Sequence, residues 1–83
     1  MEELQARFDK RKSFYNKAKV IREDNTIKLK SYDTIVAEIS HHILKIYGGY
    51  SQTTKRHIRE FVRQFTDLVL ESKDIFRREI YLY

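Results

Sequence analysis

The stretch "TIKLKSYDTIVAEI", Thr26 to Ile39, decides how large a sheet this chain can build. Ile27, Leu29, Ile35, Ala37 and Ile39 all share one parity, and a strand sends alternate side chains to the same face. A tight hairpin inside "SYDT", Ser31 to Thr34, would need Tyr32-Asp33 as its central pair. That pair is poor beside Asn-Gly, because a type I′ turn holds both central residues at positive φ. The shared parity therefore reads as one long, bent strand from Thr26 to Ile39, bulged near Ser31–Asp33, with a turn at "SYDT" as the alternative.

Upstream, "KAKVI" alternates charged and apolar residues, and "EDN" at Glu23–Asn25 supplies turn chemistry. Downstream, "SHH" at Ser40–His42 breaks the pattern, and "ILKIY" reads as another strand closed by Gly48 and Gly49, whose backbones reach angles other residues avoid. Ser51 is then a good N-cap. From there the period becomes 3.6, with Ile58, Phe61, Val62, Phe65, Leu68 and Val69 on one side. This predicts an amphipathic helix over Gln52–Leu70, apolar face inward.

At the ends the patterns are shorter. Leu4 and Phe8 stand at i, i+4 spacing and suggest a short helix within residues 2–13. Ser72 caps a second short helix from Lys73, with Ile75, Phe76 and Ile80 inward, unless "REIYLY" is extended as an edge strand. The expected fold class is α+β: a small antiparallel sheet of about three strands packed on one amphipathic helix, with short helical N- and C-terminal segments. The chain reads as a single domain over 1–83, with an N-terminal arm at 1–13, a sheet-plus-helix core at 14–65 and a C-terminal extension at 71–83.

With 83 residues and 41% hydrophobic content there is material for one core and no more. The chain holds no cysteine, which excludes disulfides, thiolate catalysis and cysteine-based zinc sites. No apolar run approaches the roughly 20 residues of a membrane-spanning helix. The opening "MEELQARFDKRK" lacks the uncharged core of a signal peptide, so an intracellular setting is expected. A net charge of +5 with a pI near 9.6 points to acidic partners: nucleic acid, an acidic protein surface or a nucleoprotein complex.

On a helical wheel Arg56, Arg59 and Arg63 fall within about 60° of one another, away from the apolar face, with Lys55 flanking. Such a stripe presents guanidinium groups to phosphates or carboxylates. The bland reading is a solvated face laced by Arg56–Glu60 and Glu60–Arg63 pairs. A helix-turn-helix is disfavoured, since the segment before this helix is strand-like. Tyr32 and Tyr50, at the strand ends beside the helix start, are candidate aromatic anchors, although such tyrosines more often close a small core. His41 and His42 are adjacent and not spaced to grip one metal; His57 is expected to be structural, bonded to a strand carbonyl or to the Tyr32/Asp33 region. No catalytic signature occurs, and neither enzyme activity, metal nor cofactor is expected.

Three pieces together, "FYNKAKVI", "LKSYDTIVAEI" and "YSQTTKRHIREFVRQ", resemble a family of small proteins encoded by phages and mobile elements of Firmicutes. In that family a Ser-Tyr-x-Thr strand precedes a Tyr-Ser-x-Thr-Thr-x-basic-His-Ile helix start, matched here by Ser31–Thr34 and Tyr50–Ile58. The resemblance covers Phe14 to Phe65 and implies a small sheet on one helix, without implying an activity. Accessory proteins of this kind often block host machinery, CRISPR inhibitors among them. The expected function is therefore non-enzymatic binding in the cytoplasm of a bacterial host: docking on a host protein or nucleoprotein complex, such as a CRISPR effector nuclease, and inhibiting it. Lys55, Arg56, Arg59 and Arg63 would make the charged contacts, with Tyr50 and Tyr32 as anchors. The alternatives are a basic nucleic-acid-binding accessory or regulatory protein using the same helix, and a homodimer joined through Ile75–Tyr83.

Overall fold

Among residues 1–10, 13–48 and 51–82, which the computed structural model describes, six strands form one antiparallel sheet. They are β1 (Glu2–Glu3), β2 (Ala18–Glu23), β3 (Thr26–Ser31), β4 (Thr34–Ser40), β5 (Ile43–Ile46) and β6 (Arg78–Tyr81), neighbours in space in the order of sequence. The helix α1 (Gln52–Phe65) crosses between β5 and β6, and a single 3-10 turn at Ser72–Asp74 follows it. This corrects the expected fold class of about three strands with helical ends. The sheet is twice that size and both terminal segments join it as strands.

The first correction comes from "SYDT". Tyr32 takes φ 57° and the chain reverses there, so Ser31 pairs with Thr34 and Lys30 with Ile35. The next pair is Leu29 with Ala37, which leaves Val36 as one extra residue, a β-bulge. Ile35 and Ala37 share a parity yet stand on opposite faces of the sheet because of that residue. Parity alone argued for an unbroken strand only because it assumes a regular ladder. The carbonyl of Val36 is not wasted: it accepts from Tyr47 N–H at 3.0 Å, beyond the end of β5.

The ends are corrected for a related reason. A short isolated helix is marginal in water, whereas a sheet edge offers backbone partners at once. Glu2 and Glu3 pair with Val20 and Lys19, Leu4 N–H donates to Ala18 O at 2.8 Å, and Glu2 meets Arg22 at 3.0 Å. Leu4 is buried while Phe8 is exposed, so the i, i+4 pair that suggested a helix is split. At the other end Ile75 enters the core, and Arg78–Tyr81 pairs with β5 as the edge strand, the alternative reading of "REIYLY".

One side of the sheet is apolar. Val20, Leu29, Ala37 and Ile46 lie opposite one another across four strands and form one core with Ile58, Phe61 and Val62 of α1. Each fully buried side chain of this size contributes roughly 1.5–3 kcal/mol. The other side carries a rung of alternating charge, Lys28–Glu38–Lys45–Glu79 across β3 to β6, which suits a face open to water.

Helix α1 begins as expected, with Ser51 Oγ accepting from Thr54 N–H at 3.3 Å. It stops at Phe65, five residues before the expected end at Leu70. Thr66 is the cause: its hydroxyl donates to Val62 O at 2.7 Å and accepts from Leu68 N–H at 3.0 Å, turning the chain out of the helix. Leu68 still reaches the core in part, whereas Val69 is exposed.

Candidate functional site

The residues of the two quoted sequence motifs converge on one corner, where the β3–β4 turn meets the start of α1. Ser31 Oγ lies 2.8 Å from His57 Nδ1 and 3.1 Å from Thr54 Oγ1. The Phe14 ring meets the imidazole edge-on at 4.8 Å, and the Tyr32 ring tilts over it at 5.9 Å. His57 is 1% exposed. It bonds a strand hydroxyl in the Tyr32 region, and its place in a sealed network gives it a structural role. Among the described residues every buried side-chain nitrogen and oxygen has a partner.

The outer face of α1 is organised differently from either sequence reading. The chain at residues 5–9 lies along it. Glu60, 2% exposed, accepts from Phe8 N–H at 2.8 Å and Asp9 N–H at 2.9 Å through Oε1. Its Oε2 accepts from Gln64 Nε2 at 2.6 Å, and the same amide donates to Gln5 O at 2.6 Å. The expected Arg56–Glu60 and Glu60–Arg63 pairs do not form, because the carboxylate is turned to the backbone of the arm. Arg56 instead donates to Asp9 Oδ1 at 3.4 Å.

That leaves Arg59 and Arg63 facing solvent, with no ion pair to either among the described residues. The Arg63 guanidinium sits 4.9 Å from the centre of the Phe8 ring. Together with Phe8, Val69 and Leu70 the two arginines line a hollow of about 190 Å³, floored by Asp9 and Glu60. Phe8 is 58% and Val69 64% exposed. An arginine fork beside an exposed aromatic ring is the composition of an interface anchor.

Of the candidates from the sequence, Arg59 and Arg63 are brought together and Arg56 lies on the same face but holds the arm. Lys55 is half-buried on α1 and does not line the hollow. Tyr32 stands at the closed corner, its ring 5.6 Å from Lys17 Nζ, and Tyr50 lies outside the described residues. Phe8, Asp9 and Val69 were missed. The contacts that bring in Phe8 and Asp9 span about fifty positions of sequence, and no periodicity carries that information. In the segment named for the homodimer alternative, Ile75 is buried in the chain's own core and Phe76 lies beneath the Arg78 guanidinium at 4.7 Å; Tyr83 is outside the described residues.

Among the described residues no group of three or more His, Asp or Glu side chains is placed to hold a metal ion, and no helix is long and apolar enough to cross a membrane. The model of DUF8033, a family of unknown function, matches residues 2–78, and the chain belongs to that family. No curated protein and no solved structure matches it. The matched span takes in the arm from Glu2 and ends at Arg78, the first residue of β6, well beyond Phe14–Phe65.

Proposed function

We propose that this DUF8033 protein is a non-enzymatic binding module that docks through the outer face of α1 on an acidic host protein or nucleoprotein complex and inhibits it. The observation that supports docking is the pair Arg59 and Arg63, solvent-facing and without carboxylate partners among the described residues, beside exposed Phe8 and Val69. A hollow of about 190 Å³ falls short of the roughly 300 Å³ at which substrate pockets begin, and suits one apolar side chain of a partner. Neighbouring carboxylates would bridge the two guanidinium groups. Inhibition, phage or mobile-element origin, and a CRISPR effector nuclease as the target in the bacterial cytoplasm rest on the motif resemblance alone.

A nucleic-acid-binding reading is favoured by a different surface. Lys19 and Lys30 face each other directly across β2 and β3, a like-charged pair that is unfavourable unless an anion joins it, and Lys17 lies next to them over Tyr32. Two double variants separate the readings: Arg59→Glu with Arg63→Glu, and Lys19→Ala with Lys30→Ala. Immobilised protein is offered a bacterial host lysate, and duplex DNA is titrated across a salt series. The docking reading expects one defined partner, retained by the native chain and lost only in the arginine variant. Salt-steep DNA binding lost only in the lysine variant overturns it and makes phosphate the ligand.

A further inference from the structure

A larger concavity lies at the far end of α1 from its N-cap. Because the helix stops at Phe65, it does not cover the end of the sheet where the β2–β3 and β4–β5 turns project. Ile27 and Ile39 are left half-buried there and, with Phe65 and Leu68, form the apolar floor of a cleft of about 650 Å³. That volume lies within the usual range for small-molecule sites. The rim is polar and includes Asn25, His41, His42 and Asp67.

Among the residues that line the cleft, Asp67 is the one Asp, Glu, Lys or Arg. Asp67 stands just beyond the C-terminus of α1, where the helix dipole is negative and a carboxylate is unfavourable. It makes no ion pair and no side-chain hydrogen bond among the described residues. The last carbonyls of a helix also lack partners within it, so acceptors gather at this end. The nearby cations are engaged elsewhere. Arg22, 5.3 Å from the centre of the Phe65 ring, is paired with Glu2 at 3.0 Å, and Arg63 in the last turn lies over Phe8. In a chain of net charge +5, Asp67 is thus a carboxylate without a paired cation among the described residues, set at the edge of an apolar floor.

The rim carries a second peculiarity. His41 and His42 form the β4–β5 turn with φ 52° and 66°. Both are left-handed conformations, in which Asn-Gly is the ordinary choice. The chain keeps two imidazoles at the lip of the cleft where backbone preference alone asks for neither.

We propose that this cleft binds a small organic cation with an apolar body, its ammonium or guanidinium head at Asp67 and the C-terminal carbonyls of α1, its hydrocarbon part on Ile27, Ile39, Phe65 and Leu68. The site is separate from the arginine-flanked hollow and does not depend on the docking reading.

The test is a titration of the full chain, followed by backbone amide shifts, with three probes of one shape: 4-phenylbutylamine, 4-phenylbutanol and 4-phenylbutanoate. The amine is expected to shift Asp67, Leu68, His41 and Leu82 and to bind about tenfold more tightly than the alcohol, with the carboxylate weakest. Asp67→Asn is expected to erase the preference for the amine while leaving the alcohol's affinity alone. Ile39→Trp, which fills the floor, should abolish binding of all three, with the spectrum of the β3–β4 turn amides at the opposite end of the sheet confirming that the variant is folded. Equal affinity for amine and alcohol, preference for the carboxylate, shifts mapping elsewhere, or no binding by any probe would each overturn the proposal.

Discussion

The two ends of helix α1 are built to opposite rules. At the first turns Ser31, Thr54 and His57 bond one another beneath two aromatic rings, and among the described residues no buried side-chain nitrogen or oxygen lacks a partner. At the last turns an apolar floor is uncovered, with a carboxylate beyond the helix end that has no counter-ion among the described residues. Both ends hold histidines and hydroxyls, so residue type does not separate structural from available chemistry. What separates them is saturation. A buried polar group with all its partners holds the fold, and a rim group without one is open to a ligand.

The sharpest way to break this contrast is to disturb the closed end. His57→Ala removes the ring between Phe14 and Tyr32 and leaves the Ser31 hydroxyl with Thr54 as its remaining partner, and should lower stability by about 3 kcal/mol. Urea unfolding at unchanged slope measures it, and a loss below about 1 kcal/mol would mean the corner is not a structural anchor. Next in size is the middle of the helix. Glu60→Ala leaves the Phe8 and Asp9 amides without an acceptor and should cost about 2 kcal/mol, together with faster hydrogen exchange at those two amides if the arm is pinned there. The smallest effect belongs to the open end, where the sign reverses. Asp67→Asn should raise stability by about 0.3 kcal/mol, more at low salt than at high, because it removes a carboxylate from the negative end of the dipole. A destabilised Asp67→Asn chain would show that this end is saturated as well.

The helix was legible in the sequence because its signals are local. Ser51 caps it, and Ile58, Phe61 and Val62 recur with its own period. Its end was not, since Leu68 continues the periodicity by packing on the core from a segment that Thr66 has already turned aside. The short strands left little trace: Glu2–Glu3 is two charged residues with no alternation, and its place is fixed by partners at Lys19 and Val20. For the arginine-flanked hollow, the wheel correctly grouped Arg59 with Arg63. It could not show that Asp9 would take Arg56 or that Phe8 would lie under Arg63, because residues of the arm carry no pattern that points to α1.

The bulge in β4 has a consequence for how this gene can change length. Losing the codon for Val36 would leave Leu29 opposite Ala37 and every later partner in place, converting an irregular hairpin into a regular one at the cost of one buried valine. Losing the codon for Glu38, two positions on, would use up the same extra residue and keep Ile39 opposite Ile27, but it would set Val36 opposite Leu29, move Ala37 to the open face and break the run of alternating charge. One spare residue thus lets the strand lose either codon and keep its later partners, while the place of the loss decides which side chain is turned to water.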